Sequence, residues 1–188
     1  MLRLGTGAPH QTSMKHVLVL VGPKGAGKTT IGHILAADLG LHFLRVEPLF
    51  LELRARLGAS HPQLEAAGFQ AVLSAVRYAL SRDDVVCFET TGASAHVASL
   101  LEALQSEARL LLIRVLAAPE QYLTRIHARD ASIHIPVSDD QIERINAIAH
   151  TVALPWTAEL DNRGPLDRAL IVSTVRSLLT PGASSTGA

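Results

Sequence analysis

Gly22-Pro23-Lys24-Gly25-Ala26-Gly27-Lys28-Thr29 satisfies, at every required position, the pattern G-x-x-x-x-G-K-[ST]. Glycines let a backbone wrap around an anion with several N–H groups pointing inward. Lys28 reaches the outer phosphates of a nucleotide, and the Thr29 hydroxyl is placed to ligate Mg²⁺. A helix that starts at the loop turns its positive dipole end toward the same anion. The candidate phosphate-binding set is therefore Gly22, Pro23, Lys24, Gly25, Ala26, Gly27, Lys28, Thr29 and Thr30.

The flanks make the motif specific. His16-Val17-Leu18-Val19-Leu20-Val21 is a short apolar run suited to a parallel strand buried on both faces. Beyond the loop, Ile31, Ile34, Leu35 and Leu39 recur at helical spacing, and Gly40 supplies a stop. A chance glycine-rich turn would lack this order of strand, loop and helix.

Further out, apolar and turn-forming stretches alternate. Strands are predicted at 16–21, 42–46, 85–88, 110–116 and 155–160. Helices are predicted at 28–39, 48–57, 62–81, 95–106, 119–128 and 165–179, with another after the capping-box sequence Ser138-Asp139-Asp140-Gln141. Alternating β and α elements imply a parallel sheet with helices on both faces, an α/β/α sandwich with three layers. Ligands collect at the carboxyl ends of strands in such sheets. Residues 1–13 read as a flexible arm, 14–180 as one domain, and 181–188 (Pro-Gly-Ala-Ser-Ser-Thr-Gly-Ala) as a disordered tail.

Composition narrows the function classes. The chain has 188 residues, enough for a real core, with 48% apolar and 4% aromatic residues, so that core is aliphatic. Basic and acidic residues balance at 17 each, so net charge gives no footprint for nucleic acid. No run approaches the ~18 apolar residues of a membrane span, and no secretory pattern opens the chain. Cys87, the single cysteine, lies in an apolar run and reads as a small buried hydrophobe. The expectation is a cytoplasmic monomer or homodimer with a small-molecule partner, and neither nucleic acid nor membrane.

Phosphoryl transfer needs a metal, positive charge on the moving group and a positioned acceptor. Mg²⁺ needs an acidic contact, through water, beside Thr29. Two carboxylates compete. Glu89 ends the Val85–Phe88 strand and is the better candidate for the metal. Glu47, placed at the end of the second strand, suits orienting or deprotonating an acceptor hydroxyl. Thr90, Thr91 and Gly92 form a turn whose backbone could approach a substrate, and Ser94 doubles as a helix cap. Arg125 and Arg129 lie four apart on one helix face, before an irregular segment that reads as a short lid at about 129–137. Arginine there would stabilise spreading negative charge, and Arg144 could add to it. A solvated helix face is the other reading of the same arginines. Arg114, inside the fourth strand, needs a partner that the sequence does not name.

These residues together resemble the small P-loop kinases of the shikimate and gluconate kinase type, related to nucleoside monophosphate kinases. The resemblance covers about 16–179. It rests on the 22–29 loop, Phe43 followed by Glu47, Thr90-Thr91-Gly92, the Arg125/Arg129 pair and Leu160-Asp161-Asn162. It implies a P-loop NTPase fold with strand order 2-3-1-4-5 and the use of ATP with Mg²⁺. It also implies that Arg125 stacks on adenine and that the turn from Asn162 to Pro165 lines the base pocket. Glu47 would then face the acceptor, and Arg129 would come from the lid.

The acceptor half departs from that family. Shikimate kinases carry Asp-x-Asp after the second strand, where this chain has Arg45-Val46-Glu47. Their carboxylate-gripping arginine follows a Gly-Phe pair, whereas Gly68-Phe69 here leads to Gln70. Glutamine cannot make the bidentate grip of arginine. The expectation is a kinase of a small metabolite other than shikimate, with Arg45 favouring an anionic acceptor held in another way. Nucleoside or nucleotide phosphorylation is the alternative, and a nucleotide-binding regulator with little turnover is the alternative of another class.

Overall fold

The computed structural model describes residues 14–128 and 134–180. Five strands form one sheet: β1 (His16–Val21), β2 (His42–Leu44), β3 (Val85–Thr90), β4 (Arg109–Leu116) and β5 (Ala158–Asp161). Their order is β2-β3-β1-β4-β5, and all neighbours run parallel. The helices are α1 (Lys28–Leu39), α2 (Glu47–Leu57), α3 (Leu64–Leu80), α4 (His96–Gln105), α5 (Tyr122–His127), α6 (Asp139–Thr151) and α7 (Arg168–Leu179). The expected α/β/α sandwich and strand order are both present.

The central strand divides the core by its two-residue period. Leu18 and Leu20 face the cluster built with Ile31 and Leu35 of α1 and Val175 of α7. Val17, Val19 and Val21 face the opposite cluster, with Val72 and Val76 of α3 and Leu100 and Leu104 of α4. A strand apolar at every position fits only where helices cover both faces. Val17 through Leu20 are fully buried. Cys87, in register with Leu18, is buried too, and burial together with the Glu89 charge pushes its thiol pKa far up. It is an inert hydrophobe.

Three boundaries differ from the expectation. β2 stops at Leu44, and Glu47 opens α2 instead of ending the strand. Val46 already has helical backbone, and Pro48 fits the first turn of a helix, where its missing N–H costs nothing. β5 starts at Ala158, not 155, because Pro155 has no N–H for the ladder. α7 starts at Arg168, with the Asp167 side chain accepting the Leu170 N–H at 2.9 Å. The capping box at Ser138 and Gln141 forms as read, and Gly40 ends α1 with φ of 67°. Arg114 finds its partner on the neighbouring strand: Nη1 lies 3.2 Å from Glu159 Oε1, and the guanidinium lies 5.7 Å from the Trp156 ring centroid. Among the described residues, no helix is long and apolar enough to cross a membrane. The expected arm and tail, and 129–133 of the expected lid, lie outside the described residues.

Ile113 is fully buried in β4. Ile113→Ala is expected to cost roughly 2–5 kcal/mol by leaving a cavity. Urea unfolding checks this: the midpoint should fall while the slope stays constant.

Candidate active site

The loop leaves β1 at Gly22, whose N–H donates to the Thr90 carbonyl on β3 at 3.2 Å. Gly25 and Gly27 take φ of 83° and 92°, a region that side chains rarely allow. At Gly27 space is closed as well, since a Cβ would sit 2.3 Å from Asn162 Nδ2. Two buried amides hold the loop from different elements. Asn162, just past β5, donates Nδ2–H to the Ala26 carbonyl at 2.8 Å. Asn146 of α6 accepts the Lys24 N–H at 2.7 Å and donates to the Lys24 carbonyl at 3.1 Å. These bonds tie the loop to the turn after β5 and to α6.

Lys28 is only 7% exposed, and its Nζ donates to the Gly22 and Pro23 carbonyls at 2.7 Å each. These bonds fold the ammonium back over the loop. One residue on, Thr29 Oγ1 lies 2.9 and 2.8 Å from the two carboxylate oxygens of Glu89. Glu89 stands on β3 opposite Leu20 of β1, so sheet register places it beside the start of α1. The sequence pairing of Thr29 with Glu89 is a direct contact in the fold.

Glu47 points toward the same space from the first turn of α2. His134 Nδ1 donates to its Oε2 at 2.5 Å, and the Ile135 N–H donates to its Oε1 at 2.8 Å. Burial pushes the Glu47 pKa up. The hydrogen bonds from Ile135 and His134, with the charges of Lys24 and His134, outweigh it and hold the carboxyl below the ordinary glutamate range. Arg125 of α5 lies across the other rim, its Nη2 donating to the Asn162 carbonyl at 3.3 Å and its Nη1 to the Gly25 carbonyl at 3.5 Å. This contact ties the arginine to the loop and to the turn after β5.

A cavity of about 400 Å³ opens beside the loop. Lys24, Gly25, Gly27, Lys28, Thr29, Glu47, Glu89, Thr90 and Thr91 are among the residues that line it. Gly92 lies behind this lining: its φ is 77°, and its N–H donates to Thr90 Oγ1 at 3.2 Å. Other expected residues are elsewhere. Gln70, Arg144, Pro165 and Thr30 are exposed and do not line the cavity, and Arg45 is half-buried outside it. Gln70 follows a lining residue by one helical step, which turns it to the outer face of α3. Arg129 lies outside the described residues.

Sequence reasoning missed Asn146, His134, Glu65 and the aromatic pair Phe50 and Phe69. Asn146 carried a signal: it sits in the apolar stripe of Ile142 and Ala149, where a polar group needs a specific partner. His134 carried none, because its partner is 87 positions away.

A family model of the AAA domain matches residues 17–150. A shikimate kinase of Chromohalobacter salexigens is 33% identical over 169 residues, spanning 85% of this chain and 89% of its own. The chain belongs to the shikimate-kinase-like P-loop kinases. Three other bacterial shikimate kinases are 33%, 39% and 34% identical, over 61%, 41% and 64% of their own lengths. For these, the chain spans less than two thirds of the relative. Among solved structures, a protein from Chloroflexus aurantiacus superposes with a TM-score of 0.71 at 20% identity, covering 89% of this chain and 97% of that one. The shikimate kinase of Acinetobacter baumannii in complex with shikimate superposes with a TM-score of 0.59 at 19% identity, covering 92% and 97%. At these identities the structures establish the family fold.

Removing the Glu47 charge tests the contact with His134 and Ile135. In Glu47→Gln, hydrogen–deuterium exchange at the Ile135 amide should speed up by about tenfold or more, since a charge-assisted bond is lost. A depressed folded pKa stabilises the protein above the ordinary glutamate value and loses that effect as pH falls through the folded value. The stability gap between the wild type and Glu47→Gln should therefore close below about pH 4.

Proposed function

We propose that this protein is an ATP–Mg²⁺-dependent kinase that phosphorylates a hydroxyl of a small metabolite other than shikimate. The observation that carries this reading is the Thr29–Glu89 contact at 2.8 Å beside the buried ammonium of Lys28. A hydroxyl and a carboxylate at the mouth of an anion cradle are the two protein contacts Mg²⁺ takes when phosphates and water complete its shell. Bound there, Mg²⁺ would neutralise charge between the outer phosphates.

The chain's own groups would divide the remaining work. Backbone N–H groups of Gly25 to Thr29 would hold the phosphates, that of Ala26 giving up its bond to the Pro23 carbonyl, with Thr30 extending the helix N-terminus behind them. Lys28 would exchange its carbonyl partners for the moving phosphoryl oxygens. Arg125 would lie against the base, with Asn162 and the turn toward Pro165 beneath it. Arg129 would add positive charge over the phosphates. Glu47 would accept the hydrogen bond of the acceptor hydroxyl. Both its oxygens already accept hydrogen bonds, from His134 and the Ile135 N–H, so its main work would be orientation. A loose transition state asks for little more. Gln70, which stands where the related kinases carry their carboxylate-gripping arginine, weighs against shikimate.

Nucleoside phosphorylation is the second reading. Phe50 and Phe69 supply an aromatic wall between α2 and α3, where a base would have to sit. ADP release from ATP–Mg²⁺ over a panel of metabolites and nucleosides separates the two. Lys28→Ala should lower turnover by about a hundredfold or more, as removal of a charge-stabilising donor does. Undiminished turnover in that variant, or no heat of ATP–Mg²⁺ binding to the wild type by calorimetry, would refute the proposal.

A further inference from the structure

Glu47 stands in the wall between two cavities. It lines the one beside the loop and also a second, of about 310 Å³, which Lys24, His127, His134 and Ile142 line with it. His134 lines the second cavity and not the first, so its imidazole engages Glu47 without taking space beside Lys28 and Thr29. An ionised carboxylate only accepts, so Nδ1 is the donor of the 2.5 Å bond to Oε2. The next residue supplies the second donor, the Ile135 N–H on Oε1 at 2.8 Å. Two donors on two oxygens fix the plane of the carboxylate. A carboxylate offers about four acceptor sites, so these bonds leave others unused. The His134 and Glu47 side chains are each 20% exposed, so little water competes for the contact.

The segment that carries His134 is anchored in turn. Pro136 stiffens it, and it runs into the capping box of Ser138 and Gln141 that opens α6. α6 is the helix whose Asn146 brackets the backbone of Lys24. The helix that braces the phosphate loop therefore also sets the place of both donors to Glu47. His127, the other imidazole lining the second cavity, is engaged by Asp139 at 2.9 Å, which leaves His134 as the imidazole for Glu47. A glutamate without such partners loses up to about 2 kcal/mol of rotamer freedom when it is held still. Here two hydrogen bonds from one short segment hold it.

Resting on the kinase reading above, we infer that His134 is a positioning residue for phosphoryl transfer, holding Glu47 so that an unused acceptor site of its carboxylate faces the acceptor hydroxyl. His134 itself touches neither nucleotide nor acceptor. The Ile135 N–H is the second point of support. Without the imidazole the carboxylate keeps one tether and turns about it. A hydroxyl misplaced by about 1 Å lowers turnover by about a hundredfold. Contacts between the loop and the nucleotide do not pass through His134, so nucleotide affinity stays as it is.

A split between kcat and KM tests this. ADP release from ATP–Mg²⁺ is measured with D-gluconate, glycerol, adenosine and water alone as acceptors, in the wild type, His134→Ala, His134→Asn and Lys28→Ala. With each acceptor that the wild type turns over, His134→Ala should lower kcat by about tenfold to a hundredfold and leave KM for ATP within about twofold. Asparagine carries an N–H one bond beyond Cγ, where Nδ1 stands, so His134→Asn should recover kcat to within about threefold of the wild type. Should His134→Ala fail to fold, His134→Leu, which keeps bulk and loses the donor, takes its place. A kcat in His134→Ala within about twofold of the wild type overturns the inference. An equal fall in His134→Asn, or a fall confined to KM for ATP, overturns it too. ADP release that is lost in Lys28→Ala but unchanged in His134→Ala sinks the inference and leaves the kinase reading standing. No ADP release with any of the four acceptors, or no heat of ATP–Mg²⁺ binding, sinks both.

Discussion

A backbone that offers its N–H groups to an anion must leave most of them unpaired within the loop, as all but Ala26, which donates to the Pro23 carbonyl at 3.2 Å, can be here, and its carbonyls must be held by something else. Here that task falls to two buried carboxamides. Asn162 holds the Ala26 carbonyl from beyond β5, and Asn146 brackets Lys24 from α6. Each bond is worth only about 1 kcal/mol net. Their effect is geometric: they secure the carbonyls, so that the left-handed turns at Gly25 and Gly27 persist. Asn162 fills the space beside Gly27, which makes the glycine a steric requirement as well as a conformational one.

The rest of the site follows from the sheet. Parallel pairing of β1 with β3 sets Glu89 level with Leu20, and the loop then delivers Thr29 back to the same height. α2 begins immediately at Glu47, so its first turn lies over the loop and its carboxylate is held by His134 and Ile135 from the far side. Loop residues and the phenyl rings of α2 and α3 therefore line one cavity.

The nucleotide half was legible because its signals are local. Eight consecutive residues carry the loop, and the strand and helix on either side carry matching periods. Glu89 was legible as an acid ending an apolar strand. The acceptor half was less so. Glu47 was expected at a strand end, yet Val46 and Pro48 begin a helix there. Gln70 was singled out for what it replaces in related kinases, but helical geometry turns it outward and leaves Phe69 facing in. Asn146 was legible in principle, as a polar residue in a buried stripe.

Residues 16–40 by themselves determined the strand–loop–helix unit and the class of ligand, and the alternation of strands and helices along the chain implied the layers, because strand period, loop glycines and helix period are all set by neighbours in the chain. Which acid meets Thr29 and which amides brace the loop depend on contacts between segments from 60 to 136 positions apart. Those contacts exist only once the strands have taken their register and the helices have packed across them, so only the tertiary structure decided them.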